Sequence, residues 1–155
     1  MNHAQEAEKL FYEGYNCAQS VFVAFRDLTG CSKEDAARLS SSFGGGMGRM
    51  REVCGAVSGM LMALGLLRGY EPPGDDAVKA EHYRRVQALA GKFREETGSI
   101  ICREILKDAP SDPNPPPRPA DFYAKRPCAR MIRLAASILD EYLSENPPGE
   151  MPWKT

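Results

Sequence analysis

The chain has no Cys-x-x-Cys, no Gly-Lys-Ser/Thr and no apolar run of membrane-spanning length. The first absence argues against zinc ribbons, thioredoxin-like motifs and bacterial ferredoxin runs, all of which need cysteines two residues apart. The second argues against a phosphate-binding loop. Gly44-x-Gly46-x-x-Arg49 also misses the third glycine of the dinucleotide fingerprint, and no strand pattern precedes it, so a nucleotide site is not expected. The longest apolar stretch, Val53 to Leu67, is interrupted by three glycines and falls short of the roughly 18 residues that argue for a membrane span. An excess of either charge is missing too: 20 basic and 21 acidic residues give a net charge of −1. They are interleaved without a basic run or an arginine-aromatic ladder, which speaks against nucleic acid as a partner. The start Met1-Asn2-His3-Ala4-Gln5-Glu6-Ala7-Glu8 is polar and acidic, unlike a secretory leader, so the cytoplasm is the expected compartment. Thiols stay reduced there, and five cysteines then read as ligands or redox catalysts rather than as structural staples.

What the chain does have is a concentration of glycine. Residues 43–59 hold six glycines among seventeen residues, each weakening a helix by about 1 kcal/mol relative to Ala. Such a density is expected where backbone turns sharply or approaches something closely. Gly55, Ala56, Ser58 and Gly59 keep bulk away from Cys54, and Met60 to Leu67 then reads as a buried helix. Gly55, Gly59 and Ala63, at four-residue spacing, suit a tight helix crossing or the lining of a pocket beside the thiol. Arg49 or Arg51 stands close enough in sequence to act as a counter-charge to sulfur or to an anion.

The remaining pattern is helical. Ala4, Ala7, Leu10 and Phe11 share a face in residues 2–13, with Gly14 as the stop. Asn16 caps a second helix, with Cys17 in its first turn, that Thr29-Gly30 closes. Ser32 caps a third helix with Asp35 at the third position and Ala36, Ala37 and Leu39 inward. After the connector 68–74, Asp75 or Asp76 caps a long charged helix to about Glu96. Its expected core face is Val78, Tyr83, Val86, Leu89, Ala90 and Phe93, with His82 read as solvated. Ser99 is the expected cap of a segment with Cys102 near its third position. Residues 108–120 hold six of the twelve prolines and should form an extended strap. Pro127 suits the first position of a last amphipathic helix that carries Cys128, Met131, Ile132, Ala135, Ile138 and Leu139. The expected fold is therefore all-α, a compact single-domain bundle of five to seven helices over residues 1–145, with a Gly-rich loop, a Pro-rich strap and a Pro-rich tail over 146–155.

These assignments place Cys17, Cys54, Cys102 and Cys128 at the starts of four helices. Free backbone N–H groups and the positive end of the helix dipole favour a thiolate there. If the four starts converge, they make a sulfur-lined pocket suited to a metal-thiolate site, or to two thiols that exchange with a disulfide. Cys54, after the glycine loop and with small neighbours, is the expected nucleophile or tightest ligand. Cys31 sits in a turn and has no assigned role. Against this stands the plainer reading in which four buried cysteines merely pack the helices of a non-catalytic binding protein, or hold zinc.

The string Cys54-Gly55-Ala56-x-x-Gly59, the preceding Phe43-Gly44-Gly45-Gly46-x-Gly48-Arg49-Met50, the upstream Asn16-Cys17-Ala18-Gln19 and the later Cys102 and Cys128 carry a resemblance. From about Tyr12 to about Leu143 the chain resembles the C_GCAxxG_C_C family, although Val53-Cys54-Gly55-Ala56 stands where that name spells Gly-Cys-Ala. The resemblance implies a small helical redox-active protein. It also implies a bound prosthetic group, with an iron-sulfur cluster or other metal centre on the four cysteines, and a redox partner protein.

Overall fold

Polar caps and left-handed glycines punctuate the chain much as its sequence suggests. In the computed structural model, which describes residues 2–119, 122 and 127–148, the Asn2 side chain accepts the Gln5 N–H at 3.1 Å and opens α1 (His3–Tyr12). Gly14, at φ +111°, turns the chain into α2 (Cys17–Ala24). There Asn16 and Gln19 form a reciprocal capping box. Every residue of α2 after Cys17 except Gln19 is buried, and this short apolar helix lies against α1 on one side and α6 (Gly55–Arg68) on the other.

The second helix was expected to continue to Thr29, but the structure breaks it at Phe25 and resumes as α3 (Arg26–Thr29), ended by left-handed Gly30. The Phe25 ring stacks on His3 at 4.2 Å. His3 is itself buried, with Nδ1 2.6 Å from Asp140 Oδ1 and Nε2 2.9 Å from Asp27 Oδ1. One side chain thus ties α1 to α3 and to α9 (Cys128–Glu145). In α4 (Lys33–Ser40), capped by Ser32, the buried stripe is Ala36 and Ser40. Leu39 lies off that stripe and is exposed, contrary to expectation.

Asp75 caps α7 (Asp76–Thr97), accepting N–H groups from Ala77 and Val78, and left-handed Gly98 ends it. Its inward stripe is His82, Val86, Leu89, Ala90 and Phe93. Val78 falls before the core begins and Tyr83 lies on the flank, so both are exposed although the pattern placed them inside. His82, read from sequence as solvated, is buried with its ring edge-on to Tyr70 at 5.9 Å. Burial, and then the nearby Arg85 charge, hold its pKa below the ordinary histidine value. The all-α expectation holds. Among the described residues the one strand-like feature is an isolated antiparallel bridge, Val53 with Ile101, and no helix is long and apolar enough to cross a membrane. The expected tail lies outside the described residues from 149 onward, as does the end of the Pro-rich segment at Ala120.

The α2–α6 crossing depends on the absence of a side chain at Gly59. A Cβ there would sit 2.5 Å from the Ala18 carbonyl oxygen and 3.1 Å from Val21 Cβ. Both helices are buried at that point, so neither can yield without opening the core. Gly91 in α7 has nothing within 4 Å of the same position. Gly59→Leu is therefore expected to lower stability by at least the roughly 1–3 kcal/mol typical of overpacking. Gly91→Ala should be neutral or stabilising by up to about 1 kcal/mol. Thermal and urea melts of the two variants check the difference.

Candidate functional site

Four short-range devices bring the cysteines together. Cys17 is the first residue of α2, and the capping box fixes that helix start: Gln19 N–H donates to the Asn16 side chain at 2.9 Å, and Asn16 N–H donates back to Gln19 at 3.0 Å. The Asn16 amide also donates to Ser41 O at 3.1 Å, and Gly44 lies so close that a Cβ would fall 2.3 Å from Asn16 Cγ. Cys54 caps α6, and Gly55 lets that start approach α2. A Cβ on Gly55 would be 3.1 Å from both Ala18 N and Cys17 Cβ, and 2.9 Å from Phe43 O.

The Val53–Ile101 bridge sets the third position. Cys54 N–H donates to Ile100 O at 2.7 Å and Cys102 N–H to Glu52 O at 2.6 Å, so Cys102 opens α8 (Cys102–Leu106) beside Cys54. Ser99, the expected cap, lies two residues before the observed one, Ile101, whose N–H its hydroxyl accepts at 3.0 Å. Cys102 is consequently the first helical residue rather than the third. Pro127 likewise serves as the cap of α9, not as its first residue, and Cys128 begins the helix. The four helix starts thus converge, and Cys17, Cys54, Cys102 and Cys128 all line one cavity of about 290 Å³. All five cysteines are free thiols, and Cys31, after Gly30, is not among the lining residues.

The glycine stretch, which contains the short α5 (Gly44–Met47), forms one wall. Gly45, Gly46 and Gly48 have φ between +60° and +70°, and the non-glycine residues Met47, Arg49 and Arg51 share that left-handed conformation. Gly46 cannot carry a side chain: a Cβ would be 2.7 Å from Glu52 N and 2.8 Å from Cys102 Cβ. The stretch closes on itself through Arg51 N–H to Gly45 O and Glu52 N–H to Gly46 O. Arg103 clamps the far side, donating to Arg51 O at 3.2 Å and pairing with the Glu52 carboxylate.

Of the two arginines that the sequence offered as counter-charge, Arg51 is the buried one, at 4% exposure. Its Nη1 lies 3.7 Å from Cys102 Sγ and its Nε donates to Pro110 O at 2.9 Å, while Nη2 is buried without a partner. Arg49 turns to Asp112, donating to its carbonyl at 2.8 Å. The Pro-rich residues form the opposite wall through Pro113, Pro115 and Pro116. Arg118, which sequence reasoning did not single out, anchors that wall by donating to Phe11 O and Tyr15 O at 3.1 and 3.2 Å. Its guanidinium lies 4.9 Å from the Phe11 ring centroid. Nothing in the sequence separates Arg118 from other surface arginines, since its partners are backbone carbonyls about a hundred residues away.

The expectation that helix starts lower the thiol pKa values needs correcting. Burial pushes Cys54 up to about 12, outweighing the Ala56 and Val57 N–H groups that favour its charged form. Cys17 is also raised, first by its hydrogen bond with the Cys128 thiol and then by burial. Desolvation of a thiolate costs more than a helix start returns. The reduced site is therefore neutral at Cys17 and Cys54 near pH 7. Among the described residues no group of three or more His, Cys, Asp or Glu side chains is drawn tightly enough to grip a single ion. The four thiols line a cavity rather than a closed cage.

A family model covers residues 15–142, and its description is "putative redox-active protein (C_GCAxxG_C_C)". The chain belongs to this family. No curated protein and no solved structure gives a significant match. For a C_GCAxxG_C_C protein the convergence is informative, because the match takes in Cys17, Cys54, Gly55, Gly59, Cys102 and Cys128, and the structure gathers these residues around one cavity or at the helix crossing that forms it.

A pH dependence follows for the reduced, metal-free chain. At pH 8 a thiol with a pKa of about 12 is ionised in only about one molecule in ten thousand. Cys54 should thus be alkylated far more slowly in the folded chain than in urea. Its folded value lies above the unfolded one of about 8.5, so this burial supports folding fully below that pH and less as pH rises towards 12. Alkylation followed by mass spectrometry at several pH values, with urea melts between pH 7 and 10, checks both. Equal Cys54 rates in folded and unfolded chain would contradict them.

Proposed function

We propose that Cys17, Cys54, Cys102 and Cys128 act as one redox site, serving as thiolate ligands of an iron-sulfur cluster or another metal centre that exchanges electrons with a partner protein. The observation that carries this reading is that four sulfurs from four separate helix starts line a single cavity. A set of four thiolates suits soft metals and iron-sulfur clusters, and not calcium or magnesium. The cavity is roomier than one ion needs. Arg51, whose Nη1 lies 3.7 Å from Cys102 Sγ, supplies a cation at the cavity wall suited to a sulfur-rich anionic group. When bound, such a centre would supply one-electron transfer.

The residues around it have definable tasks. Gly46 and Gly55 let backbone pass within contact distance of Cys102 and Cys17, and the bridge between residues 53 and 101 sets the Cys54 and Cys102 positions. The raised thiol pKa values mean that ligation must release protons, which makes metal uptake steeper as pH rises. The Pro-rich residues and Phe11 give the cavity an apolar side, and a lining of low polarity raises the influence of Arg51 on any charge that forms there.

One contact favours a second reading. Cys17 and Cys128 share a side-chain hydrogen bond, and this reading assigns the disulfide to that pair. In a metal-free oxidoreductase the two would pass two electrons and two protons to a substrate disulfide, which is reduced to two thiols as Cys17–Cys128 forms. Cys54, the sequence candidate for nucleophile, is less suited to that task in its neutral, buried form.

Anaerobic purification with metal, sulfide and absorbance analysis separates the readings. The first predicts bound metal that falls at least about tenfold in each of Cys17→Ser, Cys54→Ser, Cys102→Ser and Cys128→Ser and is unchanged in Cys31→Ser. A colourless, metal-free chain that forms the Cys17–Cys128 disulfide on mild oxidation would favour the second. A chain with neither property would sink both.

A further inference from the structure

The cavity has a second chemical character that the cysteines do not explain. Arg51 is nine-tenths buried, and a buried cation is strongly disfavoured unless it is paired and fully hydrogen-bonded. Among the described residues no carboxylate pairs with it. Its contacts are one carbonyl oxygen, Pro110 O, and the Cys102 sulfur, a weak acceptor at 3.7 Å, and its Nη2 has no partner at all. The backbone beneath it is also held at φ +61°, a left-handed conformation that disfavours any non-glycine residue. Both terms oppose folding, yet the side chain is fixed at the cavity wall from both ends, by Arg103 on its carbonyl and by Pro110 on its Nε.

Among the described residues the charged lining has one sign: Arg49, Arg51 and Arg118 line the cavity, and no described Asp or Glu does. Asp112 pairs loosely with Arg49 at 3.8 Å, is half exposed and lies outside the lining. The starts of α2, α6 and α9 add the positive ends of three helix dipoles. A planar guanidinium at a cavity wall beside helix starts is the arrangement that recognises an oxyanion.

We infer that this cavity binds a small oxyanion, held by the Arg51 guanidinium at the cavity wall with Arg49 adding charge. The inference goes beyond the redox reading: it concerns the metal-free cavity and gives the ligand it takes there a charge and a class. Arg51 contributes directional hydrogen bonds that Lys cannot reproduce in full. Arg118, already committed to two backbone carbonyls, contributes field alone.

The test uses the reduced full-length chain, with sulfate, phosphate and thiosulfate titrated against chloride at constant ionic strength. Thermal shift and amide NMR provide the readouts. Saturable binding is expected, with the largest amide perturbations at Gly45, Gly46, Arg51 and Cys54. Arg51→Met should weaken it at least tenfold, Arg51→Lys less than Arg51→Met, and Arg49→Met less again. Absence of saturable binding in the wild type, perturbations centred away from the glycine stretch, or equal affinity in Arg51→Met would each overturn the proposal. Should Arg51→Met fail to fold, the wild-type perturbation map and Arg49→Met decide. Metal and thiol assays are not part of the readout, so failure here leaves the cysteine reading standing, and failure of that reading leaves this one standing.

Discussion

The close crossing of α2 on α6 is the contact on which the other features of the site depend. Gly55 and Gly59 present bare backbone to Ala18 and Cys17, which brings two helix starts within side-chain reach and so places two sulfurs on one cavity. Around this crossing the interior fills with Val21, Phe22, Met60 and Leu64. The crossing cannot loosen without losing that burial, at about 25 cal/mol per Å² of apolar surface exposed. The glycines therefore convert ordinary core energy into positional constraint on chemistry.

The second pair of cysteines is held by less. Cys102 depends on a two-residue backbone bridge and on Arg103 clamping the Arg51–Glu52 backbone, and Cys128 on α9 packing against α1. Such short-range ties set position without a regular sheet. They also leave the four thiols around a cavity of about 290 Å³ rather than fixed on a point. Burial then works against ionisation of Cys54 and adds to the raised value of Cys17, and any metal or anion that enters meets these two neutral thiols and a buried, under-satisfied guanidinium. A site of this kind gains most when a ligand supplies the missing partners at once.

Much of this could be read in the sequence because it is local. Asn16 with Gln19, Ser32 with Asp35, Asp75, and left-handed glycines at 14, 30 and 98 are punctuation that acts within a turn, so most helix bounds, though not the break at Phe25 or the caps before Cys102 and Cys128, and the cysteine-at-helix-start pattern followed. What failed was burial near element ends and flanks. Leu39, Val78 and Tyr83 have the period of a core face but lie where the core has run out. His82 looks solvated until Tyr70 returns over it. The balance at Cys54 was also hidden, since the helix start is visible in sequence and the depth of burial is not. Convergence of the four starts, the role of Pro110 as acceptor for Arg51, and the anchoring by Arg118 are tertiary facts with separations of tens of residues.

The central claim is that four thiols behave as one site while the fifth does not. Differential alkylation of anaerobically purified chain, before and after chelation and oxidation, reads it most directly by mass spectrometry. The account predicts that Cys17, Cys54, Cys102 and Cys128 are protected as a set and change together, with Cys31 labelled throughout. Four independent labelling histories, or protection of Cys31 alongside the rest, would contradict it.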